Sequence, residues 1–515
     1  MKTNNNFKFL LLVLFAAPLF FSSCKYEQSS STGWNYNDPK NGGFQKVPYL
    51  EQETGPGLVL IEGGRFTMGR VEQEVNYDWN NIPRTVSISS FYMDETEVSN
   101  FAYLEYLYWL NRVFSLDYPE VYKKAVPDTL VWRSKLAYNE PYVEYYLRHP
   151  AYRDYPVVGV NWLQANDFCA WRTDRVNEII LIREGLFEHY PNQINEDNFN
   201  TEAYLLGQYE SGKRVDGIPD LDPNKEFRNV IKEDGILLPK YRLPTEAEWE
   251  FAAYGLIGNT IDELIPDKKL YPWNGHAVRN SNEKYIGQIL ANFKRGRGDN
   301  MGVAGKLNDN ADVTAPVYAY WPNDYGLYNM AGNVSEWVMD VYRPLSLEDN
   351  DDFRPFRGNV YQTKVLDEDG LIDEKYDEVV KDSITGQIIG LPGRIKYRDV
   401  NEKDDNLLDR RNYRQADNID YLDGHWESSI YYSEVEPGAI DSDFDENNGQ
   451  KQMYQFGATS LVSDRARVYK GASWRDRAYW MVPGTRRYLT EEQSTSYIGF
   501  RCAMTRVGSP VGLGY

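Results

Sequence analysis

Short apolar stretches bounded by glycine or polar residues predict strands in the first third of the chain. Residues 58–61 and 65–68 flank the pair Gly63-Gly64, a pattern typical of two short strands joined by a turn. Residues 84–93 predict a further strand, and the apolar run 157–160 predicts a shorter one.

Helix signals occur in three places. Ser99 is a suitable N-cap for the first helix, the second covers residues 162–176, and Thr245 with Glu248 forms a capping box at the start of the third. The spacing predicts two apolar stripes, Phe101, Leu104, Leu107 and Tyr108 in the first helix and Trp162, Ala165, Phe168, Cys169 and Val176 in the second.

The N-terminus has the pattern of a secretory signal. Lys2 and Lys8 precede an apolar run at residues 9–21, which is too short to span a bilayer stably. The small residues before Cys24 resemble the lipobox of bacterial lipoproteins, in which the cysteine becomes the first mature residue and carries the lipid. The alternative is an ordinary signal that is cleaved nearby.

Composition shifts divide the remaining chain. We predict a signal peptide at 1–23, a polar tether at 24–55, one large domain at 56–507 with insertions at about 177–240 and 341–466, and a tail at 508–515. The second insertion contains dense acidic runs at 348–352 and 441–446. Such runs are typical of solvated faces, and we expect this insertion to dock a partner protein.

Overall composition excludes one class of partner. The 515 residues carry a net charge of −21, which argues against an electrostatic grip on DNA or RNA. An apolar content of 42% is ordinary and suffices for a sizeable core. We therefore expect a globular, acidic protein that binds no nucleic acid.

Cysteine and histidine offer few candidates for chemistry. If Cys24 is lipidated, Cys169 and Cys502 remain, and they are either buried thiols or a disulfide pair. The four histidines are scattered and form neither an HExxH motif nor a Cys/His cluster, which argues against a zinc site: His149, His189, His276 and His425.

An ordered series of short motifs resembles the formylglycine-generating-enzyme (sulfatase-modifying factor) family. The motifs lie at residues 62–69, 94–99, 156–162, 242–252, 271–273, 325–337, 470–474 and 499–503. The resemblance covers about 58–507 and implies an α+β fold related to C-type lectins, rich in loops and low in regular secondary structure.

The resemblance also implies a loss of the family's chemistry. Its oxidases hold copper(I) with two cysteines five residues apart, the first three residues after the serine that corresponds to Ser473, and soft thiolates suit this ion. Counting from Ser473 places Asp476 and Met481 at these positions. We therefore expect no copper site and no formylglycine-generating activity.

Two calcium sites of the family map onto this chain, and the second retains both of its oxygen-bearing side chains, which suits a hard cation. The second site would use the side chains of Asn329 and Glu336 and the carbonyl groups of Gly332 and Val334. The first site maps, across an alignment gap, onto Asn292, Phe293, Asp309 and Ala311. The resemblance thus implies structural calcium.

A resemblance over nearly the whole chain, lipobox and insertions included, links it to gliding-motility lipoproteins of Bacteroidota. The supporting segments are residues 32–34, 40–44, 77–81, 91–97, 127–133, 146–152 and 171–178. It implies a non-catalytic scaffold or adaptor in the outer membrane, facing the periplasm, whose partners are other components of the gliding and type IX secretion machinery.

Two alternatives remain open at this point. One is a lectin-like binder of glycan or peptidoglycan, in which clustered tryptophans stack on sugars: Trp273, Trp321, Trp337, Trp474 and Trp480. The other is an oxidase on the same fold, which the residues at positions 476 and 481 disfavour.

Overall fold

The computed structural model describes residues 26–508, except for 42–43, 71–79, 210, 213–216, 223, 256–268, 297–310, 344–355, 368–369, 373–374, 384–385, 401–429, 433–443, 446–449 and 453–464. The predicted signal peptide, Cys24 and most of the tail at 508–515 lie outside the described residues, as do the acidic run at 348–352 and most of that at 441–446.

Within the described residues, short elements alternate with long loops. The α-helices are α1 (Asn100–Phe114), α2 (Pro119–Ala125), α3 (Glu140–Tyr145), α4 (Trp162–Arg183), α5 (Thr201–Leu205) and α6 (Glu246–Tyr254). The strands are β1 (Leu58–Ile61), β2 (Gly64–Met68), β3 (Arg84–Ile88), β4 (Phe91–Asp94), β5 (Ile218–Pro219), β6 (Phe227–Arg228), β7 (Tyr241–Arg242), β8 (Ser335–Val341), β9 (Gln362–Lys364), β10 (Val380–Lys381), β11 (Ile388–Gly390), β12 (Tyr397–Asp399), β13 (Ile430–Tyr432), β14 (Phe444–Asp445), β15 (Gln450–Gln452), β16 (Ala466–Lys470), β17 (Arg487–Thr490), β18 (Ile498–Gly499) and β19 (Ala503–Thr505).

The chain divides into two compact units. Of the described residues, the smaller comprises those within 26–51, 180–190 and 212–237, so it combines parts of the predicted tether and of the first insertion. In it, β5 pairs antiparallel with β6, and Arg228 forms a 2.6 Å ion pair with Asp234. Arg228 also donates to Gln45, which ties the segment around residue 45 to this unit.

Two four-stranded sheets organise the larger unit. One has the order β1-β4-β19-β7, and the other has the order β17-β16-β8-β18. Both include strands from the C-terminal region, since β19 pairs with β4 and β18 lies parallel to β8. Helix α6 packs beside β2, β3, β8 and β16, where Trp249 and Phe251 belong to the main apolar core.

The strands predicted at residues 58–68 exist, but they do not pair with each other. β1 pairs with β4, whereas β2 pairs with β3. The strand predicted at 84–93 is likewise divided between two sheets. The chain crosses over tightly at this point: the amide of Gly63 donates to Ser90 Oγ, and a Cβ on Gly63 would lie 2.2 Å from the carbonyl oxygen of Ile88.

The segment at 157–160 is buried but is not a strand, which corrects the sequence prediction. Its amides are satisfied by loops: Val157 donates to the carbonyl group of Val98, and Gly159 donates to that of Thr495. Apolar character predicted burial here, but the backbone amides of this segment donate to loop carbonyl groups and form no ladder.

The three predicted helices are present, but the prediction of which face of the first helix is buried was wrong. Ser99 caps α1, and the capping box of Thr245 and Glu248 starts α6. In α1, however, Phe101 and Tyr108 are 59% and 68% exposed. The buried face is instead formed by Tyr103, Tyr106, Leu107, Leu110, Val113 and Phe114. Aromatic residues occur all around this helix, so spacing alone could not select the buried side.

Candidate functional site

The loop before β8 holds the residues predicted as the second calcium site. Asn329 and Asn333 have φ values of 54° and 63°, in the left-handed region that asparagine tolerates. Gly332 has a φ of 84°, and a Cβ there would lie 2.4 Å from the carbonyl oxygen of Asn292. The loop therefore makes sharp turns and is followed within three residues by Glu336, which β8 places in the interior.

Glu336 forms a buried ion pair with Arg501. The Nε and Nη2 atoms of Arg501 donate to the two carboxylate oxygens at 2.7 and 2.6 Å. The indole Nε1 of Trp249 donates to the same carboxylate at 2.7 Å. All three side chains are at most 1% exposed. Such a bidentate pair is strong and directional, so it joins β8, α6 and the segment before β19.

A second buried carboxylate lies beside this pair. Glu97 accepts hydrogen bonds from the side-chain amides of Asn329 and Asn333 at 2.9 and 3.0 Å. Burial, and secondarily the charge of Glu336, raises the pKa of Glu97 to about 8. Arg501 therefore faces two carboxylates, and the two asparagines supply the hydrogen bonds that Glu97 would otherwise lack.

These contacts bear on the predicted calcium site. A carboxylate has about four lone-pair positions, and Arg501 and Trp249 occupy three of those of Glu336. Glu336 thus fits an ion pair better than a calcium ligand, and calcium at this site stays a prediction.

The other predicted calcium site is described only in part. The side-chain amide of Asn292 donates to the carbonyl group of Val313 at 2.8 Å, and Phe293 is buried in an apolar cluster. Ala311 is also buried, whereas Asp309 lies outside the described residues.

The positions that correspond to the family's two cysteines are integrated into the structure. Asp476 accepts hydrogen bonds from the amide and hydroxyl of Ser473 at 2.9 and 2.6 Å and forms a 2.9 Å ion pair with Arg487. Met481 is fully buried in the same apolar cluster as Phe293. One position thus makes an ion pair and the other fills the core.

Sequence comparison assigns the family. The profile of the FGE-sulfatase family, described as "Sulfatase-modifying factor enzyme 1-like domain", matches residues 43–381, about two thirds of the chain. The chain belongs to this family. The α+β, loop-rich fold expected for a sulfatase-modifying-factor domain is therefore confirmed.

Individual relatives of this sulfatase-modifying-factor chain include both enzymes and inactive proteins. It is 27% identical to the formylglycine-generating enzyme of Mus musculus over 283 residues, 55% of this chain and 58% of the enzyme. It is 24% identical to the mouse "Inactive C-alpha-formylglycine-generating enzyme 2" over 319 residues, 59% of this chain and 73% of that protein. The chain thus spans less than two thirds of the first relative, and membership alone assigns no activity.

A solved structure also matches the sulfatase-modifying-factor chain. PvdO from Pseudomonas aeruginosa is 13% identical and aligns with 90% of this chain and 100% of its own, with a TM-score of 0.39.

Sequence analysis did not assign roles to Glu97 or Arg501. Both lie inside motifs that carry the family resemblance, at 94–99 and 499–503, but nothing in those motifs indicates that the two residues meet in the fold. The two residues are more than 400 positions apart, and only the fold brings them to the same carboxylate, Glu336.

The tryptophans considered for sugar stacking do not all share one surface, although Trp273 and Trp321 line the same small cavity. Trp337 is fully buried and donates to the carbonyl group of Val160. Trp474 is half-buried and stacks on Trp132, whereas Trp321 is 54% exposed. Some of these five tryptophans thus belong to the core of this sulfatase-modifying-factor domain and are not available to stack on sugars.

The two cysteines of the described chain lie together. The Sγ atoms of Cys169 in α4 and Cys502 before β19 are 3.3 Å apart, and both residues are buried. Burial and the neighbouring thiol raise the pKa of Cys502 well above its usual value, so little thiolate forms in the folded protein.

A second buried charge cluster lies beneath α6. The Nζ of Lys470 is 3.1 Å from Glu246 and 3.2 Å from Glu250, and Arg486 is 2.8 Å from Glu246. Asp340 accepts a hydrogen bond from the backbone amide of Glu246 at 2.6 Å. Burial, and secondarily the charge of Glu246, raises the pKa of Asp340 to about 7.

This shift predicts a pH dependence of stability. Because the folded-state pKa of Asp340 lies above its ordinary value of 3.8, the stability it contributes is complete below pH 3.8 and is lost as the pH rises to about 7. We expect Asp340→Asn to remove a slope of up to about 1.4 kcal/mol per pH unit in this window. Urea unfolding of both proteins across the window measures it, and identical slopes would contradict the assignment.

Proposed function

We propose that this chain is a non-catalytic structural lipoprotein of the gliding-motility and type IX secretion machinery, similar to the gliding-motility lipoprotein GldJ. The observation that carries the non-catalytic part is the environment of Asp476 and Met481. Both oxygens of Asp476 are engaged by Ser473 and Arg487, and Met481 is enclosed in the core.

The ligand preference of copper(I) supports the non-catalytic part of this proposal. Copper(I) prefers thiolate and thioether ligands, and a carboxylate is a poor substitute for a thiolate. Neither Asp476 nor Met481 is free to reorient, since one is held by three polar contacts and the other is fully buried. These positions thus contribute to the stability of the fold, and the family's oxidase reaction has no thiols there.

The proposed role is that of a membrane-anchored scaffold or adaptor. A lipid on Cys24 would anchor the chain in the outer membrane, facing the periplasm. Among the described residues, no helix is both long and apolar enough to cross a bilayer. Partners would be other gliding and secretion components, docked at the acidic second insertion through basic surfaces.

Gene deletion is the direct test. We expect a clean deletion to abolish colony spreading and the secretion of type IX cargo, because the scaffold would be missing, and complementation with the wild-type gene to restore both. Normal secretion in the deletion strain would contradict the proposed role. Tight copper(I) binding with oxygen consumption on a cysteine-containing peptide would contradict its non-catalytic character. Affinity purification of the tagged protein from cell envelopes would identify its partners.

A further inference from the structure

The N-terminal segment of the smaller unit exposes large apolar side chains. Residues 26–37 form a narrow hairpin, in which Gln28 pairs antiparallel with Asn35. The amide of Asn37 then donates to the carbonyl group of Phe44 at 2.9 Å, which returns the chain to the same end of the hairpin. In spite of these backbone contacts, five large apolar side chains of the segment 26–50 are exposed: Tyr26, Trp34, Phe44, Tyr49 and Leu50. The segment thus offers an apolar surface that the described part of the chain leaves uncovered.

Three aromatic side chains of this segment form one patch. Trp34 and Tyr36 lie on either side of Asn35 in one arm of the hairpin, and they project to the same side because side chains alternate along an extended arm. The ring of Phe44 lies against that of Tyr36, with the centroids 5.7 Å apart. Trp34 and Phe44 are 60% and 71% exposed. We call Trp34, Tyr36 and Phe44 the N-terminal aromatic patch.

A lysine borders this patch, and the segment around it carries no net charge. The Nζ atom of Lys46 lies 5.5 Å from the centroid of the Tyr36 ring and forms an ion pair with Glu27. The whole chain has a net charge of −21, but residues 26–50 contain two acidic and two basic side chains: Glu27, Asp38, Lys40 and Lys46. An apolar surface without net charge can approach an anionic membrane, which repels an acidic surface.

The place of the predicted lipid indicates what covers the patch. Cys24 lies two residues before Tyr26, and two residues span at most about 7 Å. The amide of Tyr36 donates to the carbonyl group of Glu27 at 2.8 Å, so the patch lies next to the end of the hairpin that follows Cys24. A lipid inserted from Cys24 would therefore hold the patch at the membrane–water interface, where Trp and Tyr are enriched because their rings are amphipathic.

We propose that the N-terminal aromatic patch docks on the lipid surface, with the rings of Trp34 and Phe44 among the headgroups, and adds a second contact to the lipid on Cys24. This inference rests on the lipidation of Cys24 in the function proposed above. Membrane affinity grows with the buried apolar area, and stable anchoring commonly uses two signals. The position of the patch beside Cys24 favours a membrane over a partner protein as its occupant.

Flotation with phosphatidylcholine vesicles tests the proposal on a lipid-free form of the mature chain, residues 24–515 with Cys24→Ser. We expect this protein to float with the vesicles. Trp34→Ser combined with Phe44→Ser should weaken its partitioning by about tenfold or more, because two rings are lost from the contact. Trp321→Ser combined with Phe101→Ser is the matched control. It removes the same residue types from exposed positions of the larger unit and should leave partitioning unchanged.

Fluorescence quenching gives a second measurement of the same contact. Vesicles of brominated phosphatidylcholine should quench part of the tryptophan fluorescence, and Trp34→Phe, which keeps a ring in the patch, should remove that quenching. Three results would overturn the proposal: no flotation of the lipid-free protein, equal losses in the two double variants, or unchanged quenching in Trp34→Phe. The first of these is the result expected if a partner protein covers the patch instead.

Urea unfolding of the double variants checks that they fold, which we expect because all four substituted side chains are exposed. Mass spectrometry of the N-terminus of the native protein tests the lipid on Cys24 separately. Failure of flotation would therefore leave the lipid anchor and the scaffold role intact, whereas an unlipidated Cys24 would remove the anchor on which both proposals rest.

Discussion

Arg501→Met should destabilise the fold by about 3–5 kcal/mol, because it leaves the buried carboxylate of Glu336 without its cation. Typical domains have a total stability of about 5–15 kcal/mol, so we expect a large loss of folded protein. Urea unfolding followed by tryptophan fluorescence measures the change.

An exposed ion pair provides the matched control. Arg133 pairs with Glu140 at 2.8 Å, and the two side chains are 57% and 42% exposed. Arg133→Met removes the same group but should leave stability almost unchanged, because solvent screens the pair. If both substitutions had equal effects, or if Arg501→Met were neutral, the ion pair with Glu336 would not stabilise the fold as described.

The second large effect concerns the thiols of Cys169 and Cys502. We expect refolding with oxidised glutathione to join them, since their Sγ atoms are 3.3 Å apart in the fold. The two thiols lose two electrons and two protons, and oxidised glutathione is reduced to two glutathione thiols. Closing a loop of more than 300 residues should stabilise the protein by about 2–5 kcal/mol relative to its reduced form.

Urea unfolding with and without dithiothreitol measures this difference, and thiol titration under denaturing conditions confirms the bond. The variant with Cys169→Ala and Cys502→Ala is the control, and dithiothreitol should not alter its stability. Titratable thiols at both Cys169 and Cys502 after oxidative refolding would contradict the pairing. Because both thiols are buried, oxidation of the already folded protein should be slow.

Local signals predicted those elements whose cause lies within a few residues. The capping box of Thr245 and Glu248 and the cap at Ser99 are determined by nearby side chains, and both predictions are confirmed. The segment 157–160 failed as a strand because strand formation requires a neighbour, which its own residues do not specify. The prediction that the Phe101 face of α1 is buried was wrong for a similar reason, since burial depends on what packs against the helix.

Candidate site residues show the same division. The motif positions indicated that Glu336 and Asn329 matter, but not that Arg501 and Trp249 would occupy the carboxylate of Glu336.

The sequence by itself determined the family, the α+β fold and the absence of a cysteine at positions 476 and 481, because each of these follows from residue identity and order. Only the tertiary structure decided which charges are paired and that Cys169 meets Cys502. Pairing and burial are properties of distances between residues far apart in the chain. Those distances result from packing of the whole domain, so no local stretch of sequence encodes them.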